Sequence, residues 1–254
     1  MYVYICEDSP EAIFTAIYNI YENKHHLPDT RLLLEWEPLL MAEYVYVEPD
    51  QQKAQKVIRT LYRQFGDADT HYIFMALTAP DQEKAEAVYK TIAYGLQRKV
   101  LPNHLFDHLA DRYVLQTHKL ARNASRECHH FLGFLRFQEL KNGILFAAVE
   151  PKNHVLTELM EHFSDRFPSE NFLILDEKRG LFGVHRAGGK WFLTTDDDAV
   201  DRIKMTEVSA GEEYYAELFR HFCKTIAIKE RKNIDLQKNL LPLRYRTHMT
   251  EFQM

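Results

Sequence analysis

The chain opens on an alternating, β-rich stretch, Tyr2–Cys6, which predicts a first strand. Asp8 or Ser9 can cap the next element, and Pro10 suits a first helical turn. Ile13, Ile17, Ile20 and Tyr21 then recur at helical spacing. A second strand is expected at Tyr44–Val47. After Pro49 and Asp50, the residues Ala54, Val57, Ile58, Leu61, Tyr62 and Phe65 fall on one stripe, the mark of an amphipathic helix. Asp69 is placed to cap a short apolar helix ending near Pro80, where Pro80-Asp81 stops one helix and starts another. That dipeptide divides the chain into an acidic α/β region, 1–80, and an α+β domain, 81–254.

Beyond the boundary, 82–98 and 103–131 carry helical periodicity, and then the period changes. Phe134–Leu140 and Ile144–Val149 flank Asn142-Gly143, a hairpin turn in which both residues need positive φ. Pairing Lys141 with Ile144 puts Arg136 and Gln138 on the face of Ala147 and Val149. A helix with Val155, Leu156, Leu159, Met160 and Phe163 on its inner stripe follows. Three short strands, Phe172–Asp176, Leu181–Arg186 and Trp191–Thr195, are joined by turns at Lys178-Arg179-Gly180 and Ala187-Gly188-Gly189. A further helix carries Tyr215, Leu218, Phe219, Phe222 and Ile226, before a polar helix or turn and an irregular tail around Pro242. The expected fold class is α+β: a largely antiparallel sheet of about five strands covered by helices, with a smaller N-terminal α/β region.

Composition adds limits. Hydrophobic residues at 46% and charged residues at 27% imply a packed core rather than disorder. No apolar run approaches the roughly 20 residues of a membrane span, and Met1–Cys6 lacks a basic leader. Cys6, Cys128 and Cys223 are too scattered for a disulfide framework or a cysteine zinc cage, so a reducing cytoplasm is expected. The net charge is −5, but residues 1–50 hold ten acids against two bases, which leaves +3 for the rest. An acidic front argues against a generally basic nucleic-acid protein and leaves room for local basic faces.

Two such faces stand out. Arg112, Lys119, Arg122, Arg126 and His129 line one side of a helix, opposite Val114, Ala121, Ala124, Cys128 and Phe131. Fixed cations on a rigid element suit successive phosphates, although a solvated outer face gives the same pattern. In the C-terminal segment, Lys229, Arg231, Lys232, Lys238, Arg244 and Arg246 outweigh Glu230 and Asp235, a balance of +4. Tyr245 sits between two arginines, and Asn233 offers hydrogen bonds to a base or a backbone. A tail packed on the domain would show the same composition. Arg136 also belongs to the expected contact set.

Chemistry is harder to find. His104 and His108 stand four apart but lack the intervening glutamate of zinc hydrolases. Glu127 and His129 are the nearest thing to an acid–base pair, and Cys128 between them falls on the apolar stripe, which predicts an inert thiol. Asp196–Asp198 closes a strand, where a capping turn and a Mg²⁺ site compete as readings. No phosphate-binding GxxxxGK[ST], no GxGxxG after a strand and no GxSxG elbow is present. Neither a cofactor nor a bound metal is expected.

Spaced motifs give a further pointer. Glu127-Cys-His129, Gly133-Phe134-Leu-Arg136-Phe137, Phe146 and Glu150-Pro151 form one group. His162-Phe163-Ser-Asp-Arg166-Phe167, Asp176, Arg231-Lys-Asn233, Leu236-Gln237 and Pro242-Leu-Arg244-Tyr245 form another. Together they resemble a bacterial family of unknown function whose members are labelled probable DNA metabolism or repair proteins. His130 and Arg246 depart from its pattern, which has a basic residue and an aromatic there. The resemblance implies a radical SAM protein encoded nearby, and in some members fusion to a uracil-DNA glycosylase. On that reading the chain is the accessory domain alone, with DNA, the radical SAM protein and a glycosylase as expected partners. Two function classes follow: a DNA-binding accessory module, or an enzyme with a site around Glu127 and His129 or around Asp196–Asp198.

Overall fold

A computed structural model of the chain describes residues 1–25, 29–195 and 207–252. The fold is α+β. It forms two compact units, Met1–Arg126 and Glu127–Met254.

The first unit is built on a parallel three-stranded sheet in the order β2-β1-β3, with β1 at Tyr2–Cys6, β2 at Thr30–Leu33 and β3 at Glu43–Val47. Parallel pairing requires a crossover, supplied between β1 and β2 by α1, Pro10–Glu22. Ser9 caps α1 by accepting from Ala12 N–H, and Pro10 stands in its first turn. Both faces of β1 are covered, as a parallel sheet demands. Val3 and Ile5 pack with Leu33 under Leu39, Ala42 and Tyr44. Helices α1 and α2 (Gln51–Leu77) pack together, and the Thr15 hydroxyl joins them by accepting from Asp50 N–H while donating to the Glu11 carbonyl one turn back in α1.

Helix α2 is broken at Gly66, whose φ of 76° and ψ of 178° no helix accommodates. Asn103 fills the break: its N–H donates to the Phe65 carbonyl, and its side-chain oxygen accepts from Ala68 N–H. Asp69 does not cap a new helix. Its carboxylate accepts from Leu105 N–H instead. These contacts explain why the helix expected over 103–131 begins late. The segment near 103–105 is held against the α2 break, and Leu105–Asp107 makes only a 3-10 turn. Helix α3 spans Lys84–Arg98, and α4 spans Arg112–Phe134, starting where the Asp111 carboxylate accepts from Tyr113 and Val114 N–H.

The second unit holds a five-stranded sheet in sequential order: β4 (Gln138–Glu139), β5 (Leu145–Val149), β6 (Phe172–Asp176), β7 (Leu181–His185) and β8 (Phe192–Thr194). It is mixed rather than wholly antiparallel, because β5 and β6 run parallel while the other neighbours run antiparallel. The cause is α5, Leu156–Arg166, a crossover that returns the chain in the same direction. Leu156, Leu159, Met160 and Phe163 of α5 are buried, as are Phe172, Ile174, Leu175 and Phe182 of the sheet. The first hairpin departs from expectation in register. Glu139 pairs with Leu145, and Leu140 N–H donates to the Ile144 carbonyl, so the turn is Lys141-Asn142-Gly143 with only Gly143 at positive φ. One added loop residue shifts the predicted pairing by one.

Helix α6, Ala210–Thr225, forms where the stripe predicts it, but none of its residues is buried. A short α7, Ile234–Leu240, and 3-10 turns over Leu243–His248 and Thr250–Phe252 complete the unit. No helix among the described residues is long and apolar enough to cross a membrane.

Candidate functional site

Helix α4 carries the predicted basic face. Val114, Ala121 and Ala124 are fully buried on one side, and Thr117 is pinned there by a 2.8 Å hydrogen bond between its hydroxyl and that of Thr91. Lys119, Arg122, Arg126 and His129 are exposed. At 100° per residue they fall within an arc of about 80°, and the three cations span roughly 10 Å of helix. Among the described residues, no carboxylate lies within ion-pair distance of Lys119, Arg122 or Arg126.

Glu127 points the other way and is 2% exposed. Its Oε1 accepts from Lys152 N–H at 3.0 Å and from Arg244 Nη1 at 2.8 Å. Its Oε2 accepts from Asn153 N–H at 2.7 Å and from Asn153 Nδ2 at 2.6 Å. Both carboxylate oxygens are therefore engaged, and the group works as an anchor for the loop after β5. Arg179 grips the same loop by its carbonyls, donating to Pro151 O at 3.2 Å and Lys152 O at 2.9 Å. Arg179 is itself paired with the fully buried Asp176 at 2.7 Å. One loop thus has its N–H groups bound by an anion and its carbonyls by a cation. His129, two residues from Glu127 on the helix, is on the solvent side and makes no pair with it. Burial pushes the Cys128 thiol up to about 11, with Glu158 and Glu127 adding to the effect.

The C-terminal set divides by role. Tyr245 is buried among Phe131, Phe134 and His130, and the Arg244 guanidinium lies 4.5 Å above its ring. Burial raises the Tyr245 phenol, and the adjacent Arg244 works against the rise. Arg246 donates to the Leu241 carbonyl and stacks on Phe252. Arg136 is spent on a clasp: it pairs with Glu251 at 2.8 Å and donates to the Gly133 and Leu135 carbonyls. Asn233 caps α7 by accepting from Leu236 N–H. Arg231 and Lys232 are exposed, and Lys229 opens a 3-10 turn before them. Asp196–Asp198 lie outside the described residues.

A cluster that sequence reading missed lies where β5 and β6 end. The register pairs Val149 with Asp176, so Glu150 and Glu177 leave the sheet side by side. His248 comes in from the C-terminal 3-10 turn, its Nε2 3.2 Å from Glu150 Oε1 and 3.8 Å from Glu177 Oε2. Glu150-Pro151 was visible as a motif, but nothing local links it to Glu177 or His248. His104 and His108 turn to different partners: His104 bonds Asp107 at 2.7 Å, and His108 meets the Tyr94 hydroxyl at 3.3 Å.

In the first unit a cleft of about 580 Å³ opens beside β2, with Trp36 and Tyr113 among its walls. On its floor the buried Glu86 accepts from Leu32 N–H, and burial raises its carboxyl against the opposing pull of that bond, Lys90 and Arg31. Arg31 is already shared between Glu37 and Glu86.

A comparison with curated proteins finds no match to the chain. Residues 82–251 match a family model, and that span takes in α3 to α7, the Glu127 anchor and the C-terminal clasp; the chain belongs to the DUF4130 family, a domain of unknown function.

Proposed function

We propose that this protein is a nucleic-acid-binding accessory component of DNA metabolism or repair, contacting phosphates through the exposed face of α4. The observation that carries this reading is the set Lys119, Arg122 and Arg126, presented on the exposed side of a half-buried helix without carboxylate partners among the described residues. Duplex DNA carries one negative charge per about 1.7 Å of axis, so a row of that length meets several phosphates. His129 extends the row, and Arg231 and Lys232 are further exposed cations. The resemblance to proteins labelled for DNA metabolism or repair supports the setting, with a radical SAM protein as working partner. The acidic stretch 1–50 suits contact with a protein rather than with DNA.

The test is direct binding of the full chain to single-stranded, double-stranded and uracil-containing DNA by fluorescence anisotropy at low salt. Binding by the wild type, weakened at least tenfold in Arg122→Glu/Arg126→Glu with the thermal midpoint unchanged, is the expected result. No binding to any of the three by the wild type would overturn the reading.

A further inference from the structure

We propose that Glu150, Glu177 and His248 form a site for a divalent transition metal of the Zn²⁺ or Mn²⁺ class at the carboxyl ends of β5 and β6. The inference does not rest on nucleic-acid binding. Each residue offers one ligand atom, and the three atoms lie within 4.8 Å of one another. Metal–ligand bonds of about 2.0–2.2 Å in tetrahedral array put neighbouring ligand atoms roughly 3.3–3.6 Å apart. The imidazole stands 3.2 and 3.8 Å from the two carboxylates, close to that spacing before any ion draws them in.

Charge points the same way. Two carboxylates converge on one imidazole, and the arginines nearby are committed elsewhere, Arg179 to Asp176 and Arg244 to Glu127. Among the described residues, His248 is the one basic group within ion-pair distance of Glu150 or Glu177. With neutral histidine the cluster carries two negative charges, which a dication balances.

The ligands are also held from behind. Glu150 begins the loop fixed by Glu127 and Arg179, Glu177 follows the buried Asp176, and His248 is followed by the buried Met249. Such backing lets a site form without reordering the chain. The donor set is one nitrogen and two carboxylates with no thiolate, which suits Zn²⁺ or Mn²⁺ better than Cu⁺. Calcium takes six to eight oxygens, more than are gathered here. Glu150 is 52% exposed at its side chain, so solvent reaches the ion and can complete its coordination.

The experiment is calorimetric titration of chelator-treated full chain with Zn²⁺, and separately with Mn²⁺ and Mg²⁺. One site that takes Zn²⁺ or Mn²⁺ in preference to Mg²⁺ is expected. Glu150→Gln and His248→Ala should each weaken that site at least tenfold, while His104→Ala leaves it unchanged. Glu150→Gln keeps the shape of a half-exposed side chain, and a melting curve without metal verifies that each variant is folded. Co²⁺ substitution should give visible d–d bands in the wild type that disappear in His248→Ala. Equal affinity in wild type and both cluster variants would overturn the proposal and leave His248 as an imidazolium bridging two carboxylates. So would a wild type that binds none of the three ions.

Discussion

Arg244 neutralises Glu127 and roofs Tyr245 with the same guanidinium, its Nη1 2.8 Å from Oε1 of the acid and its centre 4.5 Å above the ring. Glu127 is buried, whereas the Arg244 side chain is 39% exposed. Removing the partner of a buried charge costs about 3–5 kcal/mol when both are enclosed, and solvent access to the arginine reduces that here. Arg244→Ala should destabilise the protein by about 2 kcal/mol in urea denaturation. Arg244→Lys should recover only part of the loss, because an ammonium lacks the planar face that covers Tyr245. A double-mutant cycle with Glu127→Ala should show coupling of about 1 kcal/mol or more; additive losses would refute the linkage.

The α4 face makes a prediction about salt. Each phosphate neutralised on duplex DNA contributes about 0.9 to the slope of log affinity against log salt. If Lys119, Arg122 and Arg126 each meet a phosphate, replacing one with Ala lowers that slope by about 0.9 and affects unrelated sequences alike. A slope that stays constant across the three single variants would place the contacts elsewhere.

The Cys6 and Cys128 thiols should be sluggish, and alkali should weaken the fold. Burial pushes Cys6 up to about 12 and Cys128 up to about 11. At pH 8 roughly one Cys128 in a thousand is thiolate, so both cysteines should react with iodoacetamide far more slowly in the folded than in the unfolded protein. Burial likewise raises the Tyr89 and Tyr4 phenols. All these folded values exceed the unfolded ones. Their stabilising contribution is therefore complete below about pH 8.5 for the thiols and about pH 10 for the phenols, and is lost as pH climbs towards 12. The urea midpoint should fall between pH 8.5 and 11, and a flat profile would contradict the burial of these groups.

Two glycines should resist alanine for different reasons. A Cβ at Gly183 would collide with the Met160 side chain, so Gly183→Ala should cost about 1–3 kcal/mol by overpacking. At Gly143 nothing lies within 4 Å, but φ is +78°, and Gly143→Ala should cost about 1 kcal/mol through backbone strain alone. Thermal denaturation separates the causes. In a Met160→Ala background the Gly183→Ala penalty should shrink, and the Gly143→Ala penalty should not.

The sequence was most legible where the signal is local. Tyr2–Cys6, the α1 cap at Ser9 and the strands from Phe172 onward follow from alternation, capping and turn residues. It was less legible where partners are distant. Residues 103–111 read as helix because their periodicity is helical, while Asn103 and Leu105 are drawn to the α2 break by Phe65, Ala68 and Asp69. The stripe on α6 predicted its helix but not that Tyr215, Leu218, Phe219, Phe222 and Ile226 remain exposed, since amphipathicity marks a face without showing what covers it. The role of Arg136 was hidden in the same way, because Glu251 stands far along the chain. Glu127 reads in sequence as half of an acid–base pair with His129, and only its distant partners Lys152, Asn153 and Arg244 show that both its oxygens are engaged elsewhere.

The parallel seam between β5 and β6 also has a bearing on how the second unit assembles. Strands β4 and β5 close through a short loop, and β6, β7 and β8 form a meander of neighbours. Both pieces are low in contact order and close quickly. Joining them requires the whole stretch from Glu150 to Asn171 to close as one loop, with α5 formed on the way. The β5–β6 pairing, which has the longest loop of this sheet to close, is therefore expected to form after the two hairpin pieces on either side of it.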